Sequence, residues 1–258
     1  MAGPTQDWRE HPAAPDIEAV VVREMPPLAP ALEAEVDRLW QQARRQVPTL
    51  FNGRIFSADA ITPSRLTGHW SEYRRLVAQF LEPALFEQLQ VRSLAVCGLV
   101  RCADGLVLGR RGAGSVYQSG QWQVVPAGNV DQQSVRDGRI DLRAQLLREL
   151  QEELGVAAAC VSGLRPLCLV EHPGSAVFDM AYALRVPLSA AGVLAAHAAS
   201  GNDEMSELRI VADDAIEATI EALGGSLMGL ARLLLRREAA PQPPGAIAQA
   251  GTRSAGTG

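Results

Sequence analysis

This 258-residue chain contains one stretch that decides its fold: Arg148-Glu149-Leu150-Gln151-Glu152-Glu153-Leu154-Gly155-Val156. On a helix, residues three and four positions apart share a face, so the carboxylates of Glu149, Glu152 and Glu153 can converge on one side. Like charges at this spacing repel one another, and a divalent cation removes that cost because Mg²⁺ prefers hard oxygen ligands. The stretch predicts a helix with a metal-binding face; an acidic face that is merely solvated is the alternative.

The same stretch predicts how the helix packs. Leucines recur every four residues at 142, 146, 150 and 154, so they form a stripe opposite the carboxylates. Gly155 follows the last leucine, as is typical of the residue after a helix C-terminus. We therefore expect a helix over 141–154 whose leucine stripe is buried.

The rest of the chain interleaves short strands and helices. Runs of alternating or continuous apolar residues predict strands at 17–23, 50–60, 61–70, 94–101, 106–110, 122–126, 167–171, 177–186 and 207–211. Helical spacing, with Ser71 and either Asp213 or Asp214 as N-caps, predicts helices at 32–45, 71–79, 189–198, 213–223 and 226–237. The mixture predicts an α+β fold.

Composition shifts along the chain suggest four segments. Residues 1–16 are polar and rich in proline, which predicts a flexible arm. Residues 17–90 are expected to form a small N-terminal α+β unit, and residues 91–238 the main domain. Residues 239–258 are mostly Pro, Gly, Ala and Ser, which predicts a disordered tail.

Composition also excludes several classes of function. The net charge is −5 and every basic residue is arginine, so the chain lacks the basic stripe of a general nucleic-acid binder. A small anionic ligand stays compatible, because a bound metal reverses the local charge. No apolar run approaches the roughly 20 residues of a membrane span, and no signal-peptide core is present at the start. We expect a cytoplasmic protein that binds a small molecule, neither nucleic acid nor membrane.

The four cysteines lack the spacing of a redox or zinc motif. Cys97, Cys102, Cys160 and Cys168 form no CxxC pair and no Cys/His cluster. All four lie in apolar, strand-like stretches. We expect reduced thiols in the core.

The stretch from Arg148 to Val156 resembles the second half of the Nudix box, G-x5-E-x7-R-E-U-x-E-E-x-G-U with U aliphatic, at every specified position. The preceding strand over 105–111, Trp122 and the triplet at 126–128 are also similar to the usual approach to that box. The resemblance covers about residues 91–237. It implies the Nudix fold, a mixed β-sheet sandwiched between α-helices.

Two departures from the box stand out. Gly128 lies twenty residues before Arg148 instead of fourteen, so the loop over residues 129–139 looks enlarged by an insertion of about six residues. Ile140 stands where the box has its first glutamate. Asp141 either partly replaces that glutamate or is the N-terminal acid that complements the helix dipole. In the family the first glutamate often supports the arginine, so its loss leaves catalysis possible.

The resemblance implies hydrolysis of a nucleoside diphosphate linked to another moiety, with Mg²⁺ or Mn²⁺ as cofactor. It implies metal ligation by Glu149, Glu152 and Glu153, and a catalytic role for Arg148 in orienting a carboxylate. A further acid from a distant loop often acts as base in the family. Glu204 is the first candidate here, and Glu171 and Asp203 are the others.

Substrate contacts are expected from residues before the box. Arginines at a strand end can meet phosphates, a glycine lets backbone approach them, and aromatic and amide side chains can hold a base or sugar. The expected contacts are Arg110, Arg111, Gly128, Phe51, Asn52 and Trp70. His172 is expected to be a turn residue.

The unit before the box and the long 129–139 loop are similar to a Nudix branch that cleaves UDP-sugars, such as UDP-glucose, into UMP and a sugar 1-phosphate. An ADP-ribose-type pyrophosphatase is the nearest alternative, since the box does not read the base. A non-catalytic sensor of nucleotides or sugar nucleotides is the other, and Ile140 favours it. The sequence does not indicate an oligomeric state.

Overall fold

A computed structural model describes residues 8–172, 174–200 and 202–239. The strands in chain order are β1 (Arg9–His11), β2 (Glu18–Val21), β3 (Arg54–Ile61), β4 (Arg65–Glu72), β5 (Leu94–Cys102), β6 (Gly105–Arg111), β7 (Trp122–Val124), β8 (Ala127–Asn129), β9 (Val135–Arg136), β10 (Arg139–Ile140), β11 (Ser162–Glu171), β12 (Phe178–Arg185) and β13 (Met205–Val211). The helices are α1 (Pro30–Gln46), α2 (Tyr73–Leu81), α3 (Phe86–Leu89), α4 (Leu142–Leu154), α5 (Ala190–Ser200), α6 (Ile216–Leu223) and α7 (Gly229–Ala239).

The strands form two sheets. The larger has the order β1-β11-β12-β5-β6-β13, with β7 beside β6 and β8 beside β5. It is mixed, because β12 and β5 are parallel while the other pairs are antiparallel. The smaller sheet has the order β3-β4-β2-β10-β9.

Helices cover both faces of the larger sheet. Alternate side chains of β5 point to opposite faces, so Val96 joins one core and Cys97 the other. The first core contains the leucine stripe of α4, including the fully buried Leu146, and the second contains Leu234 of α7. The α+β class and a mixed sheet between helices are thereby confirmed.

The two sheets share a core. Phe56 and Leu66 of the smaller sheet pack in the same cluster as the leucines of α4, while Ile55 faces α1 and α2. The residues predicted as an insertion supply β9 and β10, which extend the smaller sheet through β2. The division at residues 90 and 91 remains a prediction.

The N-terminal segment differs from the expected flexible arm. Arg9–His11 pair with β11 as an edge strand, so the prediction is wrong for these residues, and residues 1–7 lie outside the described ranges. The expected tail likewise lies outside them, apart from Ala239, which ends α7. No helix within the described ranges is long and apolar enough to cross a bilayer.

Three local predictions were wrong. Ser71 is part of β4, and the cap of α2 comes from outside the helix, where Asn52 Oδ1 accepts a 2.9 Å hydrogen bond from Arg74 N. No side chain caps α6 or the 3-10 turn before it, and Asp213 instead pairs with Arg101. Cys160 is exposed in a 3-10 turn, whereas the other three cysteines are buried as expected.

Candidate active site

Helix α4 is capped at both ends by the residues that flank it. Asp141 Oδ1 accepts a 2.9 Å hydrogen bond from Ala144 N, and Gly155 adopts the left-handed conformation, with φ of 67°, after the last turn. Asp141 is the N-cap of α4, which supports its expected role as the acid at the helix N-terminus and not as a substitute for the missing glutamate. The two caps therefore fix where α4 begins and ends, and with that the positions of its glutamates.

Glu153 is the most buried carboxylate of this helix, with 1% of its surface exposed. Its Oε1 accepts a 3.2 Å hydrogen bond from Ala127 N, while no described residue offers a partner to Oε2. Burial, and then the charges of Glu149 and Glu204, raise the pKa of Glu153 well above its usual range. A buried carboxylate oxygen without a partner is costly, so it is poised for a cation or a proton.

Glu149 lies one turn before Glu153, at the wall of a cavity. Burial raises its pKa to about 7, the charges of Glu152 and Glu204 add to this, and a hydrogen bond from Gln145 opposes it. The carboxylate lies directly against Gly128, where any Cβ atom would overlap it. The close approach at Gly128 is therefore to Glu149, whereas an approach to phosphates was expected, and that expectation stays a prediction.

Among the three acids considered as distant partners, Glu204 faces the cavity. It immediately precedes β13, its carbonyl accepts a 2.7 Å bond from Gly112 N, and burial raises its pKa. Glu171 is instead held by His11 at 2.9 Å, and Asp203, which is exposed as Glu204 is, does not line the cavity. The structure thus singles out Glu204.

Glu152 departs from the expected convergence. It is exposed, its carboxylate lies 3.7 Å from Arg148 Nε, and it does not line the cavity. Across the described residues, no three His, Cys, Asp or Glu side chains assemble into a ready metal site. Ligation by Glu149, Glu152 and Glu153 accordingly stays a prediction.

The acids at this site nevertheless fit a divalent cation. The charge of Glu204 raises the pKa of both Glu149 and Glu153, so the three carboxylates lie within range of one another's fields. Glu153 Oε2 lacks a partner, as described above. Hard carboxylate oxygens with uncompensated negative charge are what Mg²⁺ or Mn²⁺ binds.

Arg148 acts on Glu149 through a neighbour. Its Nη2 lies 2.9 Å from Asp131 Oδ2 and donates to Gln145 Oε1 at 2.7 Å. Gln145 is fully buried, and its Nε2 donates to Glu149 Oε1 at 2.5 Å and to the Asn129 carbonyl at 3.0 Å. Because Arg148 occupies the amide oxygen, the amide NH₂ is turned toward Glu149.

The acid that supports Arg148 therefore comes from the inserted loop. Ile140 pairs with Ala19 in the smaller sheet and packs against the core, so position 140 does not serve Arg148. Asp131 takes that place from a position three residues after Gly128. The sequence interpretation considered positions 140 and 141 and missed it; an acid early in the extra loop was the available signal.

We expect Asp131→Asn to lower kcat about tenfold with little change in KM, the scale of losing a charge-assisted hydrogen bond. Asparagine keeps the bond that Asp131 Oδ1 accepts from Gln133 N, so the loop is retained. Steady-state kinetics checks this, with the exposed Asp137→Asn of the same loop as control. An unchanged kcat would remove Asp131 from the chain that orients Glu149.

A cavity of about 710 Å³ lies beside α4, enclosed by β8, α2 and the segments before β3 and after β8. Six of the expected site residues line it: Phe51, Asn52, Arg111, Gly128, Glu149 and Glu204. Phe51 is 81% exposed at its rim, so its ring is available to a ligand. The cavity is large enough for a small-molecule ligand.

Arg110 and Trp70, expected as substrate contacts, do not line this cavity. Side chains alternate along a strand, so Arg110 points away from the side that Arg111 takes and faces Glu207 at 3.8 Å. Trp70 packs edge-to-face against Phe56, with ring centroids 6.0 Å apart, at the shared core. Strand direction and packing explain why neither side chain lines this cavity, and their contact with a substrate stays a prediction.

An aromatic wall was missed in the sequence. Tyr117 stacks on Phe80 with centroids 4.4 Å apart, and Trp8 meets the His172 ring edge-on at 4.7 Å. All four line the cavity, including His172, which was expected to be only a turn residue. They come from separate segments, so no local pattern joins them.

Asp179 is a second missed residue. It sits in β12 with 8% of its surface exposed and lines the cavity. Burial raises its pKa to about 7, while the charge of Arg111 acts in the opposite direction. A charged residue inside an apolar strand was the signal that could have found it.

Asp179→Asn should stabilise the protein, increasingly with pH. The folded-state pKa of Asp179 is about 7 and exceeds the ordinary 3.8, so Asp179 lowers the free energy of unfolding progressively as pH rises from about 4 to 7. We expect the gain in the free energy of unfolding to be about 2–3 kcal/mol larger at pH 8 than at pH 5. Urea unfolding at both pH values measures it, and an equal gain at both would contradict the buried, unpaired state of Asp179.

Comparison with known proteins gives likeness to solved structures alone. No family model matches, and no curated protein matches. DR0079 from Deinococcus radiodurans is 21% identical, with a TM-score of 0.41 over 56% of this chain and 82% of its own. A hydrolase of the NUDIX family from Clostridium perfringens is 11% identical, with a TM-score of 0.36 over 57% of this chain and 95% of its own.

A bifunctional NMN adenylyltransferase/ADP ribose pyrophosphatase from Francisella tularensis is 12% identical, with a TM-score of 0.41 over 64% of this chain and 47% of its own. At such identities and TM-scores, no property of these proteins passes to this chain. Its activity has to be inferred from its own residues.

Proposed function

We propose that this chain is a Nudix-type hydrolase that cleaves the diphosphate of a nucleoside diphosphate derivative with Mg²⁺ or Mn²⁺. The observation that carries the proposal is the array on α4, in which Arg148 and Gln145 aim the Glu149 carboxylate at a cavity. The match of residues 148–156 to the box supports the same chemistry.

Each site residue has a distinct task in this proposal. Glu149 and Glu153, with Glu204 from the segment before β13, would hold the cation, and Glu152 would join from the solvent side. A bound cation would supply charge neutralisation for the phosphate oxygens and a more acidic water. Glu204 can also accept a proton from the attacking water, since desolvation raises its pKa above the ordinary value of a glutamate.

Arg111 is suited to the phosphates. Its Nε donates to the Tyr117 carbonyl at 3.0 Å and its Nη1 to Gln123 Oε1 at 3.0 Å, which fixes the guanidinium at the cavity wall. A held guanidinium loses little freedom on binding and matches phosphate geometry. It also offsets the negative charge of the buried acids nearby.

We further propose a UDP-sugar, such as UDP-glucose, as the substrate, cut to UMP and a sugar 1-phosphate. Support comes from the walls of the cavity, because Phe51 and Asn52 of the N-terminal part and Gln132 and Gln133 of the inserted loop line it. Aromatic and amide side chains suit a base or sugar. Trp70 lends no support, and ADP-ribose is the nearest rival.

The test is parallel kinetics on UDP-glucose and ADP-ribose with Mg²⁺ and with Mn²⁺, with phosphate products identified. We expect hydrolysis within the diphosphate and the higher kcat/KM for UDP-glucose. A kcat/KM for ADP-ribose tenfold above that for UDP-glucose would end the uridine proposal. Inertness of the folded protein toward a broad set of diphosphates would favour the non-catalytic sensor. Ile140 alone argues less for a sensor, because Asp131 pairs with Arg148 in place of the missing glutamate.

A further inference from the structure

The lining of the cavity includes an acid that the hydrolytic step does not use. Asp179 lies near the start of β12, beside Ala95 of β5 and Val170 of β11 in the sheet. It is more than nine-tenths buried, and it lines the cavity together with Ala95. Within the described ranges, the Asp179 carboxylate takes part in no side-chain hydrogen bond or ion pair, and its oxygens are not among the fully enclosed polar atoms, so they open onto the cavity.

Such a group calls for a partner from outside the chain. A largely buried carboxylate without a hydrogen-bond donor lowers the stability of the fold. Arg111 does not fill this role, because its Nε donates to the Tyr117 carbonyl and its Nη1 to Gln123 Oε1. The missing partner has to be a hydrogen-bond donor that enters the cavity. The fold keeps a destabilising group at this position, as binding sites commonly do.

The position of Asp179 indicates which part of a ligand would reach it. Arg111, Glu149 and Asp179 line the same cavity, and the charge of Arg111 acts to lower the pKa of Asp179. A diphosphate held between Arg111 and the acids of α4 would direct its next chemical group toward Asp179. In a nucleoside diphosphate derivative that group is a sugar, either the ribose or a sugar in the other moiety.

We propose that Asp179 binds two neighbouring hydroxyls of a sugar esterified to the diphosphate. Two carboxylate oxygens can accept from two adjacent O–H donors, whereas the edge of uracil offers one N–H between two repelling carbonyls. Tyr117 and His172 line the same end and give an apolar ring surface to pack on. This assignment rests on the proposed function and extends it to substrate recognition.

The experiment compares wild type and Asp179→Asn on UDP-glucose and ADP-ribose, and on analogues that lack the 2- or 3-hydroxyl of either sugar. We expect KM for the parent compound to rise about tenfold or more in the variant, with kcat within about threefold. A deoxy analogue at the sugar that Asp179 binds should already show the raised KM in wild type, and the variant should add nothing further. The sugar whose deoxygenation does this identifies the source of the hydroxyls.

Asp137→Asn serves as the control, because it makes the same change at an exposed position. Calorimetric binding of UDP-glucose and ADP-ribose without metal gives a second readout, in which Asp179→Asn should raise the dissociation constant by a similar factor. Suppose that wild type hydrolyses a parent compound, but KM in the variant rises equally for the parent and for every deoxy analogue, or does not rise at all. The sugar assignment of Asp179 is then wrong, while the proposed function stands. If wild type neither binds nor hydrolyses any of them, the proposed function falls as well.

Discussion

Replacing Glu153 by glutamine is expected to lower kcat at least about a hundredfold at saturating Mg²⁺ while the protein stays folded. The substitution keeps the shape and the bond from Ala127 N but removes the charge. The fold should tolerate the change because Glu153 Oε2 has no partner among the described residues, so no internal ion pair is broken. A cation, by contrast, loses its most buried ligand.

Three measurements separate this effect from a general loss. Urea unfolding should show a free energy of unfolding no lower than that of wild type, and Mn²⁺ titration should show weaker binding. The exposed Glu221→Gln on α6 is the matched control and should leave kcat unchanged. Near-full activity of the Glu153 variant with Mg²⁺ would refute metal ligation by this residue.

Gly128→Ala is expected to lower kcat about 10- to 100-fold with a small effect on stability. The added methyl group would occupy the space of the Glu149 carboxylate, which is the flexible end of a side chain and can swing aside. Swinging aside preserves the fold but breaks the bond from Gln145 Nε2 that aims the carboxylate. Displacing a functional group by about 1 Å commonly costs on the order of a hundredfold in rate.

Gly225→Ala is the control for this substitution, because nothing lies within 4 Å of the position that its Cβ would take. It should leave both kcat and the free energy of unfolding near their wild-type values. A Gly128 variant that unfolds readily would show that the close approach serves packing. One that keeps full activity would show that the Glu149 position is not demanding.

The local sequence was sufficient for helix α4 and for the relative positions of two of its acids. A leucine every fourth residue fixes which side of α4 is covered, and helical spacing then places Glu149 and Glu153 one turn apart. It was insufficient for Glu152, whose exposure depends on how far the neighbouring segments reach around the helix. Spacing gives the direction of a side chain from its helix, whereas burial depends on what packs there.

The partners of the site were beyond local patterns because they lie far apart in the chain. Asp131 reaches Arg148 across 17 residues because the inserted loop turns back and joins the smaller sheet, and that pairing is a tertiary contact. Arg110 and Arg111 are equivalent as sequence, and the direction of β6 in the sheet decides that Arg111 faces the cavity.

The sequence by itself determined the α+β class and the helix with its carboxylates. These depend on periodicity and on residues within one or two turns of each other, which the chain order specifies directly. Only the tertiary structure decided that Asp131 supports Arg148, that Glu204 and Asp179 face one cavity, and that Trp70 belongs to the core. Those facts depend on sheet register and on the burial of side chains brought together from distant segments.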